Sequence, residues 1–95
     1  MAKGYIIANM EVTNPEQYAD YRALAPAAIE AHGGAYLVRG GQSETLEGAF
    51  HSRTVVLEFP SFEAAKTFYH SAEYEAARHV REGAARVNLM VVEGV

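Results

Sequence analysis

From residue 5 to residue 12 the chain alternates. Ile6, Ala8, Met10 and Val12 fall on one side and Tyr5, Ile7, Asn9 and Glu11 on the other, a period of two that predicts a strand. The period then changes. Tyr18, Tyr21, Ala25, Ala28 and Ile29 recur at spacings of three and four, the apolar stripe of a helix. Asn14-Pro15-Glu16-Gln17 supplies its start: Asn14 as cap, Pro15 at the first helical position, Gln17 able to close a capping box. Pro26 falls inside this helix and removes the bond to the Arg22 carbonyl, so a kink or short irregular turn is expected there. Gly33 ends it in a left-handed conformation and leaves His32 in its last turn. Residues 35–39 form a second strand, closed by Gly40-Gly41. Residues 42–51 form a long loop with two apolar side chains, Leu46 and Phe50, that require cover. Residues 53–59, rich in β-branched side chains, form a third strand stopped by Pro60. Ser61 caps a helix that buries Phe62, Ala65, Phe68 and Tyr69. His70-Ser71 breaks it, and a second piece runs over residues 72–82 with Tyr74, Ala77 and Arg81 along one side. Residues 87–93 complete the pattern as a fourth strand.

The order is β-α-β-β-α-β, with the second helix in two pieces. Two right-handed crossovers flanking a hairpin give an α+β, ferredoxin-like sandwich: a four-stranded antiparallel sheet carrying its helices on one face. The strands are nevertheless apolar on both sides, as in Tyr5-Ile6-Ile7-Ala8 and Val55-Val56-Leu57. A bare apolar sheet face exceeds what a monomer tolerates, so a homodimer packed sheet against sheet through the open face is expected.

Composition narrows the function classes. The 95 residues suit one domain spanning 1–95, and at 49% hydrophobic the chain has a core to bury. A net charge of −4 argues against nucleic acid as a partner. Cysteine is absent, which removes disulfides, thiolate nucleophiles and thiolate ligands. No stretch has the apolar length of a signal peptide or a membrane span, so no membrane partner and a cytoplasmic location are expected.

Several blocks together resemble a known family. They are Asn14-Pro15-Glu16-Gln17-Tyr18 with Tyr21, His32-Gly33-Gly34-Ala35-Tyr36-Leu37-Val38-Arg39-Gly40-Gly41, Glu47-Gly48, Glu58-Phe59-Pro60-Ser61, Ala64-Ala65 with Phe68-Tyr69, and Ser71-Ala72-Glu73-Tyr74. The chain resembles domain-of-unknown-function family 1330 over nearly its whole length, most specifically in the His-Gly-Gly to Arg-Gly-Gly block. The resemblance implies the dimeric α/β-barrel superfamily, in which two ferredoxin-like subunits join their sheets into one barrel. Distant relatives there include cofactor-free monooxygenases of polyketide-like substrates, small isomerases and haem-binding barrels. These reactions share a fold with the chain and nothing more.

Strand parity gives the candidate pocket. If Ile6, Ala8 and Met10 face the helices, then Tyr5, Ile7 and Asn9 face the barrel. Pairing the hairpin with Arg39 opposite Thr54, Leu37 opposite Val56 and Ala35 opposite Glu58, to within about a residue, puts Arg39, Thr54 and Glu58 on one face. Asn9, Asn88 and Met90 join them, and such a mixture lines a cavity for a small polar molecule or pairs internally across the dimer. Arg39 and Glu58 lie at opposite ends of antiparallel neighbours, roughly 13 Å apart at 3.3 Å per residue, so they form no dyad within one subunit. His32 is the acid–base candidate because its ordinary pKa is near neutrality, although a histidine at a helix C-terminus also complements the macrodipole. Tyr69 and Tyr74 bracket the helix break and could bond a ligand or bury their rings. Arg81 could hold an anion or pair with an acid. No metal site is expected: the four histidines form no His-x-x-x-His pair, and Glu75, His79 and Glu82 read as a solvated face with Arg78. No nucleophile elbow, phosphate loop or dinucleotide fingerprint is present, and no cofactor is expected.

Two functions follow. One is a small-molecule binder, or a cofactor-free enzyme of monooxygenase or isomerase type, with its pocket between sheet and helices near the barrel mouth. There Arg39 would hold an anionic or enolate oxygen, and His32 or a tyrosine would carry the proton. The other is a non-catalytic dimeric binding or interaction module whose barrel interior is only a core. An open cavity favours the first, and a filled interior with Arg39 and Glu58 both ion-paired favours the second.

Overall fold

The computed structural model describes residues 2–95. Its elements run β1 (Gly4–Val12), α1 (Pro15–Ala31), β2 (Ala35–Arg39), β3 (Arg53–Phe59), α2 (Phe62–Tyr69), α3 (Ala72–Arg81) and β4 (Ala85–Glu93). The strands form one antiparallel four-stranded sheet in the order β2-β3-β1-β4. All helices pack on one of its faces, giving the ferredoxin-like sandwich that the element order implies.

Helix α1 is built by its ends. Asn14 Oδ1 accepts from the Gln17 backbone N–H at 3.2 Å. The Gln17 side chain, expected to close a capping box, instead donates to the carbonyls of Val80 and Glu82 at 2.9 and 2.6 Å. It thereby ties the start of α1 to the end of α3. The helix continues through Pro26 without an irregular turn. At its far end Gly33 takes φ 75°, and the N–H groups of Gly33 and Gly34 bond the carbonyls of Glu30 and Ile29. These two bonds satisfy carbonyls that the helix leaves open, a Schellman ending. Gly34 is needed for a different reason: a β-carbon there would sit 2.5 Å from the Phe59 ring.

Between helices and sheet, Ile6, Phe59 and Phe68 are the largest side chains wholly removed from water. Phe68 contacts Phe59 and Tyr74 at ring-centroid distances of 4.9 and 4.4 Å. The break between α2 and α3 follows from Ser71, whose hydroxyl donates to the Phe68 carbonyl and accepts from the Tyr74 N–H. Strand β4 begins at Ala85, two residues ahead of the expected start.

The hairpin pairs within one residue of the expected register, but the expected face of Arg39 fails. Ala35 lies opposite Glu58 and Tyr36 opposite Leu57, but Val38, not Leu37, pairs with Val56, and Arg39 pairs with Val55. Leu37 is an extra residue in the strand, and a bulge of one residue switches the faces of everything beyond it. Arg39 therefore joins Val55 on the helix-facing side and is separated from Thr54 and Glu58.

Candidate functional site

The bulge creates the site. On the helix-facing side of the sheet, Tyr36 and Arg39 from β2 and Arg53 from the start of β3 form a rim beside α1. Below the rim lies a cleft floored by Ile6, Ala8 and Met10 of β1, Val55 and Leu57 of β3, and Leu89 of β4. Its other wall is the apolar stripe of α1, Tyr18, Tyr21, Ala25 and Ile29, with Arg22 at the edge and Tyr74 reaching in from α3. The enclosed space is about 30 Å³, room for one or two waters, and it widens to about 440 Å³ of empty volume with the mouth included.

The cleft is lined with tyrosines whose hydroxyls are already engaged. Tyr18 donates to the Met10 sulfur at 2.8 Å, and the hydroxyls of Tyr21 and Tyr74 lie 2.6 Å apart in a mutual hydrogen bond. Burial, and then the Tyr74 hydroxyl, push the Tyr21 phenol far above the ordinary tyrosine range, against the opposing charge of Arg81. Tyr21 is therefore neutral at physiological pH. Burial also raises Tyr36, with Arg39 opposing. The Arg39 guanidinium lies 4.4 Å over the Tyr36 ring, and that of Arg53 lies 5.9 Å from Tyr18.

Few of the expected site residues meet here: Arg39 and Tyr74 line the cleft, and the others lie elsewhere. Asn9 sits on the open sheet face. Its amide donates to the His51 and Arg53 carbonyls and the Thr54 hydroxyl and accepts from the His51 N–H, anchoring the loop over residues 40–52. Glu58 occupies the same face, 3.1 Å from Lys3 Nζ and 3.3 Å from the Tyr5 hydroxyl. His32 caps α1, and its Nε2 lies 2.8 Å from Glu73 Oε2, joining α1 to α3 away from the cleft. Tyr69 lies beneath the Arg78 guanidinium, 4.4 Å from ring centre to Cζ. Arg81 stands 5.4 Å from the Tyr21 ring, outside the lining. The expected shared face of Arg39, Glu58 and Asn9 does not exist, because the bulge carries Arg39 to the other side of the sheet.

Tyr18, Tyr21, Arg22, Tyr36 and Arg53 are the lining residues that the sequence reading did not single out as a site. For Arg53 a signal was present: it shares the parity of Val55, Leu57 and Phe59, the buried side of its strand.

Residues 3–95 match the family described as Domain of unknown function (DUF1330). The chain belongs to that family. No curated protein matches it. Among solved structures, a protein of unknown function from Rhodopseudomonas palustris superposes with a TM-score of 0.77 at 18% identity, covering 99% of this chain and 83% of that one. A dabb family protein with a ferredoxin-like fold from Mesorhizobium loti gives 0.66 at 12%, covering 100% and 97%. SnoaB, a cofactor-independent oxygenase from Streptomyces nogalater, gives 0.65 at 8%, covering 97% and 92%. At these identities the likeness establishes the fold that the family member shares with them.

Proposed function

We propose that this family member is a homodimer, closed through its open sheet faces, that binds a small polar or anionic molecule in the cleft between α1 and the sheet. The observation that carries this reading is the cleft itself: an apolar interior that opens onto a rim of three arginines. The expected test case of Arg39 also supports it. Glu58 is ion-paired to Lys3, whereas Arg39 stacks on the Tyr36 ring and has no carboxylate partner among the described residues.

Cofactor-free chemistry in such a cleft would use the arginines to hold an enolate or carboxylate oxygen and the hydrogen-bonded Tyr21–Tyr74 pair as a donor. His32, engaged with Glu73, is not placed to carry the proton. The alternative, a non-catalytic module, is favoured by the small enclosed volume and by the engaged tyrosine hydroxyls. A cytoplasmic location belongs to the same proposal, and among the described residues no helix is long and apolar enough to cross a membrane.

A thermal-shift screen against metabolites tests the pocket, with Ala25→Leu as its control. Ala25 is buried and lines the cleft, so the larger side chain fills it. Stabilising compounds should lose their effect in Ala25→Leu, at a cost of about 1–3 kcal/mol to the unliganded protein. Hits that stabilise both proteins equally would place the site elsewhere.

A further inference from the structure

Gly40 and Arg53 are matched. Gly40 takes φ 65°, and a β-carbon there would overlap the Arg53 guanidinium. The Gly40 N–H meanwhile bonds the Thr54 carbonyl at 2.9 Å, which holds the strand end against β3. The glycine that follows Arg39 thus makes room for a second arginine at the same rim. Arg39 pairs with Val55, so Arg39 and Arg53 are diagonal neighbours on one face, roughly 7–8 Å apart. Arg22 completes the group from α1.

This cluster is unbalanced. No acid lines the cleft, and among the described residues none of these three arginines pairs with a carboxylate. The chain has 12 acidic against 8 basic residues, so partners are plentiful, and Lys3 and Arg86 each find one. The Arg53 Nε is moreover buried with no hydrogen-bond partner. A guanidinium atom taken from water and left unpaired is costly, and an incoming oxyanion removes that cost. Inside the rim the demand is opposite. The hydroxyls of Tyr18, Tyr21 and Tyr74 are bonded to one another or to Met10, and the remaining floor is aliphatic. The ligand therefore meets charge at one end and flat apolar walls at the other.

We propose, on the reading that the cleft is the ligand site, that it takes a small aromatic or unsaturated carboxylic acid. The carboxylate is held by Arg53 and Arg39 at the rim, and the flat body lies between the tyrosines of α1 and the sheet. The enclosed space, with room for one or two waters, is smaller than a ring, so the flat body is limited to about a single ring seated in the mouth of the cleft. Arg39 is exposed at the rim and stacked on Tyr36, and it gives up no carboxylate partner when the ligand enters.

Calorimetric titration with benzoate and with its neutral analogue benzamide tests the assignment, using wild type, Arg53→Met, Arg39→Met and Arg86→Met. Benzoate is expected to bind wild type roughly tenfold or more tightly than benzamide, with an advantage that weakens in high salt. Arg53→Met and Arg39→Met should remove that advantage, whereas Arg86→Met, which alters an arginine paired to Glu11 away from the rim, should keep it. Arg39 is an exposed side chain, so its variant carries the test even where Arg53→Met folds poorly. Equal binding of the two probes, or benzoate binding unchanged in Arg39→Met, would overturn the carboxylate assignment and leave the cleft as the site. Inorganic phosphate binding as tightly as benzoate would overturn the flat body. Failure of both aromatic probes to bind at millimolar concentration would overturn the aromatic-acid assignment, whereas the cleft itself falls only if the hits of the metabolite screen stabilise Ala25→Leu equally.

Discussion

Asn9 uses both ends of its amide to hold the turn of chain at His51 and Arg53, from a place on the open sheet face between Thr54 and Asn88. Replacing it with Ala leaves the His51 N–H and its neighbours to find water. A loss of about 1–3 kcal/mol is expected in urea unfolding, with faster hydrogen exchange at His51. An Asn9→Ala protein as stable as wild type would show that the loop is held by other contacts. His32 and Glu73 make a different kind of pair, at the surface. The His32 hydrogen bond, first among its causes, holds the Glu73 carboxyl below its ordinary value of 4.5. A carboxyl whose pKa is depressed in the folded state adds stability above its unfolded value, and that stability is lost as pH falls through the folded value. Wild type should therefore melt slightly above Glu73→Gln at pH 6, and the two curves should converge below pH 4.5. Curves that stay parallel down to acid pH would detach Glu73 from the stability of the α1 end. The effect is small because Glu73 is exposed.

At the scale of elements, Gly33 and Gly34 have distinct tasks that substitution can separate. Gly33 lies at φ 75°, and a β-carbon there meets only the Pro60 ring at an ordinary 3.6 Å. Gly33→Ala should cost the left-handed strain of one residue, about 1–2 kcal/mol. In Gly34→Ala the new methyl is driven against Phe59 and Ile29, both in the core, and the cost should exceed that of Gly33→Ala. Chemical denaturation of the two variants side by side ranks them, and the reverse order would refute the close approach at Gly34. The helix stop was legible because His32-Gly33-Gly34 carries its own conformational reason. The faces of β1 were legible from alternation alone, and Ile6, Ala8 and Met10 are buried as that alternation implies. The face of Arg39 was not legible. Ala35-Tyr36-Leu37-Val38-Arg39 contains no glycine or other local mark of a bulge, and the shift is set by pairing with a strand that lies beyond the loop. That one residue moved the arginine from the open face into the cleft, and with it the candidate site. The contact between His32 and Glu73 was equally hidden, since it joins residues 41 apart through tertiary packing.

At the scale of the whole molecule, the sheet presents an apolar surface that the chain itself does not cover. Ile7, Val38, Val56, Met90 and Val92 lie on the face away from the helices, with Met90 directly opposite Ile7 across the β1–β4 pair. Met90 is 58% exposed and Leu37 54%, while Leu46 and Phe50 in the long loop reach 83% and 68%. Water at this face would meet a continuous run of side chains from all four strands, the kind of patch that marks an interface. A second copy is the economical cover, because a two-fold axis brings the same surface against itself. In that arrangement Phe50 stands at the edge of the buried face, beside Asn9 and Met90 around a common hollow, and the loop anchored by Asn9 gains the cover it lacks in one chain. Met90→Lys separates the alternatives. On a solvent-facing strand the substitution should change stability by about 0.5 kcal/mol or less. In a sheet-to-sheet dimer it places an unpaired ammonium in the centre of the interface, where burial of a lone charge is prohibitive. Light scattering at micromolar concentration should therefore give twice the monomer mass for wild type and the monomer mass for Met90→Lys. The melting temperature should rise with concentration for wild type and stay constant for the variant. Wild type at the monomer mass, with a melting temperature independent of concentration, would leave the open face in water and remove the dimer.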